Sequence, residues 1–194
     1  MIKREPARRV FAEEFRDSNL SVREGEGQYA PSYVITPTGA KCNRLFIVGV
    51  LLEKEDIGSD SEYWRLRISD PTGTFISYVG QFQPEALRNL GEIEAPSFIA
   101  ITGKPYIITR ESGDSLSAIR VERISSSDEL SRDFWVYDTA RATLERLKKL
   151  ESEEEPYLTA RRHYGNRKEK YMEMVRRALS SLDLTFSEIE EFRF

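Results

Sequence analysis

The sequence predicts a mainly β chain with α: a five-stranded OB-type Greek-key barrel, then a long C-terminal helix and a further helical extension. Three observations carry this. Three strand-like runs, a short helix and two further strand-like runs follow one another within residues 42–127, the order of an OB barrel. Asp70-Pro71-Thr72-Gly73 joins two of the runs as a tight turn, because proline pre-sets φ and glycine is free to take positive φ. After Ser125–Asp128, a polar N-cap cluster, the apolar spacing changes from strand-like alternation to three- and four-residue steps.

In order, Pro6–Phe15 reads as a short amphipathic helix with Val10, Phe11 and Phe15 on one side. The glycine-rich run 18–32 has no periodicity and reads as a loop, and Tyr29–Pro37 as an extended arm packed against the domain. Residues 1–41 are therefore expected to be an N-terminal helix and arm, and 42–127 the barrel. RLFIVGVLLE (Arg44–Glu53) is almost wholly apolar and fits a strand bent at Gly49. In Tyr63–Ser69, Trp64, Leu66 and Ile68 fall on one face, and Tyr63, Arg65 and Arg67 on the other. Thr74–Val79 is the return strand, Pro84–Leu90 a short helix, Phe98–Thr109 a strand interrupted at Gly103–Pro105, and Leu116–Ile124 the fifth strand.

Residues 128–150 carry the stripe Leu130, Phe134, Tyr137, Ala140 or Arg141, Leu144, Leu147 and Leu150. A helix of roughly 30 Å exceeds what a small barrel can cover, so Leu130, Phe134, Tyr137, Leu144, Leu147 and Leu150 are expected to meet another chain. Residues 151–194 read as an acidic linker, a basic helical stretch interrupted near Gly165-Asn166, and an acidic, aromatic tail. The basic stretch, Arg161 to Arg177, either touches DNA or pairs with the acidic linker and tail.

The chain has 194 residues, 39% apolar and 32% charged, with a net charge of −4. That sum excludes a surface built throughout to coat nucleic acid but leaves room for a local basic face. One cysteine, Cys42, and one histidine, His163, allow neither an internal disulfide nor a Cys/His zinc site. No run approaches ~20 apolar residues, and the charged N-terminus lacks the apolar run of a signal peptide, so a cytoplasmic protein without membrane partners is expected. There is no phosphate loop of Walker or Rossmann spacing and no nucleophile elbow. Asp70 reads as a turn residue and His163 belongs to the basic stretch, so a non-enzyme without cofactor is expected.

The constellation that carries function is aromatic and basic. Tyr63, Arg65 and Arg67 share a strand face, Tyr78 and Phe82 follow on the next strand and its end, and Lys104, Tyr106, Arg110 and Arg120 lie in the last two strands. Exposed rings stack bases while lysine and arginine track phosphates. The same residues also suit an ordinary barrel with a solvated outer face.

RLFIVGVLLE, WRLRISDPTGTF, YVGQFQPEAL, ITGKPYIIT and SSSDELSRDFW together resemble the OB domain of the middle subunit of replication protein A. REPARRVFAEEF and YAPSYVITPTGAKCNRLFIVG resemble, more specifically, the archaeal replication-protein-A-associated proteins. The resemblance runs from about Pro6 to Leu150. It implies an OB fold, membership of a heteromeric single-stranded-DNA-binding complex acting in DNA replication and repair, and a large single-stranded-DNA-binding subunit as partner. It places Phe82 and Tyr106 where the family's OB domains stack bases. The alternative is an OB module that bridges proteins of the same machinery without touching DNA.

Overall fold

A computed structural model describes residues 5–27, 30–109 and 113–182. In chain order these form α1 (Ala12–Arg16), β1 (Leu20–Arg23), β2 (Ser32–Ile35), β3 (Lys41–Cys42), β4 (Leu45–Asp56), β5 (Tyr63–Asp70) and β6 (Gly73–Gly80). Then come α2 (Pro84–Gly91), β7 (Ser97–Thr109), β8 (Ser115–Ser126), α3 (Glu129–Lys149), α4 (Tyr157–Tyr164) and α5 (Lys168–Leu179).

Strands β4 to β8 close into a barrel in the order β4-β5-β6-β8-β7, with β7 returning to β4. β6 and β8 are parallel and every other neighbouring pair is antiparallel. This is the expected five-stranded OB topology, with α2 between its third and fourth strands. Alternation along β5 and β6 sends Leu66, Ile68, Phe75 and Val79 fully inside, and Trp64 packs half-buried at the margin of the same core. Ala86 and Leu90 of α2 are buried with them, and Asn89 Nδ2 donates to the Ile124 carbonyl at 3.0 Å, fixing the helix to β8.

Two glycines are required by close approach. A Cβ on Gly49 would lie 2.4 Å from the Ser69 carbonyl oxygen, and one on Gly103 would lie 2.5 Å from that of Arg120. The expected interruption at Gly103–Pro105 is instead a register shift between Thr102 and Gly103 within one continuous strand, a bulge that adds curvature without ending the ladder.

The N-terminal segment differs from expectation in two places. Helix α1 starts at Ala12, because the stretch before it is extended and Arg8 bridges Leu45 at the edge of β4. Its first turn has no local side-chain cap; the Ala12 amide donates instead to Asp70 Oδ2 at 2.7 Å. Asp70 Oδ1 meanwhile accepts from the Thr72 amide, the Thr72 hydroxyl and the Gly73 amide at 2.6, 2.7 and 3.0 Å. Burial outweighs the pull of these donors and leaves the Asp70 carboxyl raised to about 6, so at neutral pH the ionised form holds all four bonds. The run expected to be a loop contains β1, which pairs with β2, itself paired with β3. Its support comes from far along the chain: the Tyr164 hydroxyl accepts from the Asn19 and Leu20 amides at 3.0 and 2.9 Å and donates to the Ile35 carbonyl at 2.8 Å.

Helix α3 is capped as expected, with Asp128 accepting from the Ser131 amide at 2.7 Å, but its buried face is rotated from the predicted stripe. Trp135, Val136, Thr139, Ala140, Thr143 and Leu147 face inward, followed by Leu150, and Trp135 Nε1 donates to the Phe46 carbonyl at 2.8 Å. Leu147 and Leu150, expected to meet a partner, are fully covered within the chain. The physical reason is α5, whose Tyr171, Met174, Val175 and Ala178 enter the same core cluster. Leu130 is exposed, and Phe134, Tyr137 and Leu144 are half-buried.

One buried network ties these pieces together. Glu14 of α1 is fully buried and its Oε1 accepts from the Thr36 and Thr38 hydroxyls at 2.6 and 2.5 Å. Arg146 of α3 donates to Glu14 Oε2 at 3.1 Å, to Thr38 Oγ1 at 2.8 Å and to Thr143 Oγ1 at 2.9 Å.

Removing one member of a buried ion pair strands the other charge, so Glu14→Ala is expected to cost about 3–5 kcal/mol in urea unfolding. Glu14→Leu combined with Arg146→Met should cost less than the single change. A single-variant loss below about 1 kcal/mol would show that the pair is not structurally important. Asp70→Ala, which strips a cap and a turn acceptor at once, should cost about 2 kcal/mol in the same measurement, and Asp70→Asn less.

Candidate nucleic-acid interface

Strand register brings the basic and aromatic residues of four strands into one band. Arg65 of β5 is opposite Tyr78 of β6, Tyr78 is opposite Arg120 of β8, and Arg120 is opposite Lys104 of β7. Two residues further along the outer faces are Tyr63 on β5 and Tyr106 on β7. Tyr63 is opposite Gly80, and a Cβ there would come within 2.9 Å of the Tyr63 ring. The missing side chain lets Tyr63 lie over β6 and stack on Tyr78, with ring centroids 5.5 Å apart and planes 6° apart.

All of these but Arg65 floor a groove of about 830 Å³ whose lining includes Tyr63, Tyr78, Phe82, Lys104, Tyr106 and Arg120. Phe82 is 84% exposed. Its position follows from the short connection between the end of β6 at Gly80 and the start of α2 at Pro84. The turn is held by the Gln83 amide donating to the Gly80 carbonyl at 2.9 Å and by Gln83 Oε1 accepting from the Gly80 amide at 3.1 Å. The opposite wall comes from the N-terminal sheet: Ser32 and Asn43 line the groove, and Asn43 Nδ2 donates to the Ser32 carbonyl at 2.9 Å.

Burial pushes the Tyr106 hydroxyl well above the ordinary tyrosine range, and the neighbouring Tyr63 hydroxyl adds to the shift. It is therefore neutral at physiological pH, and the charge of the groove is set by Lys104 and Arg120 against Glu62. Neither cation has an ion pair among the described residues, but both help the Arg44 partner Glu122 stay ionised, which offsets part of their charge. The site can thus offer a face of π-surface for planar groups and two cations for anionic ones.

Six of the eight residues expected to bind nucleic acid are brought together here. Arg65 and Arg67 are not in the lining: Arg65 pairs with Glu55, and Arg67 with Glu53 at 3.1 Å, both across the β4–β5 ladder. Arg110 and the acidic tail lie outside the described residues. The basic helices are largely neutralised by their own chain. Arg161 pairs with Glu153 at 2.6 Å and Lys168 with Glu151 at 3.7 Å, both in the linker. Lys170 pairs with Asp17, which also accepts from the Tyr171 hydroxyl at 2.8 Å, and Arg177 pairs with Glu13 at 2.6 Å. Ser32, Asn43 and Gln83 were missed. The only signal for Ser32 is the extended arm at 29–37, which nothing in the sequence directs to a particular face of the barrel, and Asn43, beyond that arm, has none.

Among the described residues no cluster of histidine, cysteine or acidic side chains could hold a metal, and no helix is long and apolar enough to cross a membrane. The Cys42 thiol is fully buried, which pushes it up to about 12 and keeps it protonated.

No family model matches the chain, and no curated protein matches it. Among solved structures, it is similar to the second single-stranded DNA-binding protein of Mycobacterium smegmatis, at 14% identity over 46% of this chain and 89% of that one, with a TM-score of 0.39. It is also similar to Rim1, a mitochondrial single-stranded DNA-binding protein of S. cerevisiae, at 18% identity over 45% of this chain and 98% of that one, with a TM-score of 0.33. A third likeness is to OBody AM3L09, solved bound to hen egg-white lysozyme, at 16% identity over 48% of this chain and 89% of that one, with a TM-score of 0.37. Each covers less than half of this chain at a TM-score below 0.5, so the OB topology rests on the strand order itself.

Proposed function

We propose that this chain binds single-stranded DNA in the groove across β5, β6, β8 and β7. One observation carries the reading: the most exposed large aromatic of the described residues, Phe82, stands at the same groove as the Tyr63–Tyr78 stack and two cations, Lys104 and Arg120, that no described carboxylate holds in an ion pair. A ring left in water without a packing role is suited to stack a base, and each such stack contributes about 1–3 kcal/mol. The paired tyrosines form a second platform, and Lys104 and Arg120 neutralise phosphates between them. The chain acts as a binding module, with no catalytic step.

The finer reading is a subunit of a heteromeric complex of replication-protein-A type, working in replication and repair beside a large single-stranded-DNA-binding subunit. It is supported by the sequence resemblance and by the part of α3 that α5 leaves open, where Leu130 is 42% exposed and Tyr137 and Leu144 are half-buried. This is a smaller surface than the full stripe. Leu130→Glu with Leu144→Glu should abolish co-elution with such a subunit on size exclusion; unchanged co-elution would remove α3 from the interface.

For DNA, fluorescence anisotropy with labelled oligo-dT is the test. Phe82→Ala should weaken binding about 5- to 150-fold with no change in melting temperature, since the ring packs against little. Lys104→Ala and Arg120→Ala should each lower the slope of log affinity against log salt by about 0.7. Wild-type affinity and slope in all three variants would overturn the reading.

A further inference from the structure

A second opening, of about 520 Å³, lies where the N-terminal segment meets the last turns of α3. It is lined by Arg8, Lys41, Arg146, Lys148 and Lys149, with Glu145 as its carboxylate. Two of these cations are engaged elsewhere. Lys41 pairs with Glu24 and stands 4.2 Å over the Tyr33 ring, and Arg146 is committed to Glu14 and Thr38. Arg8, Lys148 and Lys149 are exposed, and none has an ion pair among the described residues. The dipole of α3 accounts for cations in its last turn, but not for Arg8, which reaches the same opening from the other end of the chain.

This opening and the aromatic groove are neighbours on the surface. Lys41 lines one and Asn43, two residues on, lines the other, a step of about 7 Å along extended chain. Arg8 bridges Leu45, whose partner on β7 is Gly103, the residue before Lys104 of the groove. The only aromatic side chain in the second opening, Tyr157, is packed against Gly39, where a Cβ would lie 2.5 Å from its ring. The opening therefore has cations to offer and little free ring surface.

We propose that a single strand longer than the groove continues over β3 and lays its phosphates on Arg8, Lys148 and Lys149. This inference rests on the single-stranded-DNA reading and extends it: bases are held in the groove, and a base-independent backbone contact beside it lengthens the site. The polyanion is preferred over a small anion because the cations are spread over two distant segments and adjoin a site already suited to the same strand.

The test compares oligo-dT of about 6 and about 20 nucleotides, lengths that bracket the range of OB site sizes, on the full chain. In Arg8→Gln/Lys148→Gln/Lys149→Gln, the short oligomer should bind within twofold of wild type. The salt slope for the long one should fall by about 2, removing most of its advantage over the short one. The double variant Lys148→Gln/Lys149→Gln should show about two-thirds of that fall, and these surface changes should leave the melting temperature in place. A wild-type slope for the long oligomer, or equal weakening at both lengths, overturns this inference and leaves the groove reading standing. A wild-type chain that binds neither length overturns both.

Discussion

The buried pair of Glu14 and Arg146 is the constraint on which the arrangement around the barrel depends. A barrel closes its own hydrogen bonds, but it cannot by itself decide which parts of its surface are covered. Glu14 sits in α1, Arg146 near the end of α3, and Thr36 and Thr38 in the turn after β2, so one carboxylate joins three segments spread over more than 130 residues. Desolvating that charge is costly unless every donor is in place, so the segments are fixed together or not at all. Around this point α5 closes over α1 and α3, through Arg177 to Glu13 and Lys170 to Asp17. One flank of the barrel is covered, and the groove across β5, β6, β8 and β7 is left open.

The distribution of charge follows the same logic. The chain is rich in lysine and arginine, but most of those in α4 and α5 are answered by carboxylates of the linker and of α1. Arg65 and Arg67 are likewise answered by β4. Lys104 and Arg120 of the groove are among the cations that form no ion pair with the described residues, although Glu122, itself paired with Arg44, feels the charge of both. A protein of net charge −4 can hold a polyanion in this way, because what the strand meets is the local surplus rather than the sum.

The barrel was legible because its signals are local. Alternation in Tyr63–Asp70, the DPTG turn and the order of strands around α2 all survive in the structure, and so does the clustering of Tyr63, Tyr78, Phe82, Lys104, Tyr106 and Arg120. The parts that were not legible depend on partners distant in sequence. Strand β1 is four residues long, too short for its alternation of Leu20 and Val22 with Ser21 and Arg23 to stand out from the surrounding loop residues; the hydroxyl of Tyr164 holds its start. Helix α1 begins where Asp70 caps it, 58 residues away. Leu147 and Leu150 belong to a convincing helical stripe, yet periodicity reports only that a face is apolar, and α5 rather than another chain covers it. Arg65 and Arg67 share a face with Tyr63, but alternation does not reveal that Glu55 and Glu53 stand beside them on β4.

The central claim is that the open groove holds single-stranded DNA on its rings. Ultraviolet cross-linking of oligo-dT to the full chain, with the linked residues identified by mass spectrometry, tests it most directly. The account predicts cross-links at Phe82 and at one or more of Tyr63, Tyr78 and Tyr106. Cross-links confined to α4 and α5, with none in the groove, would contradict it.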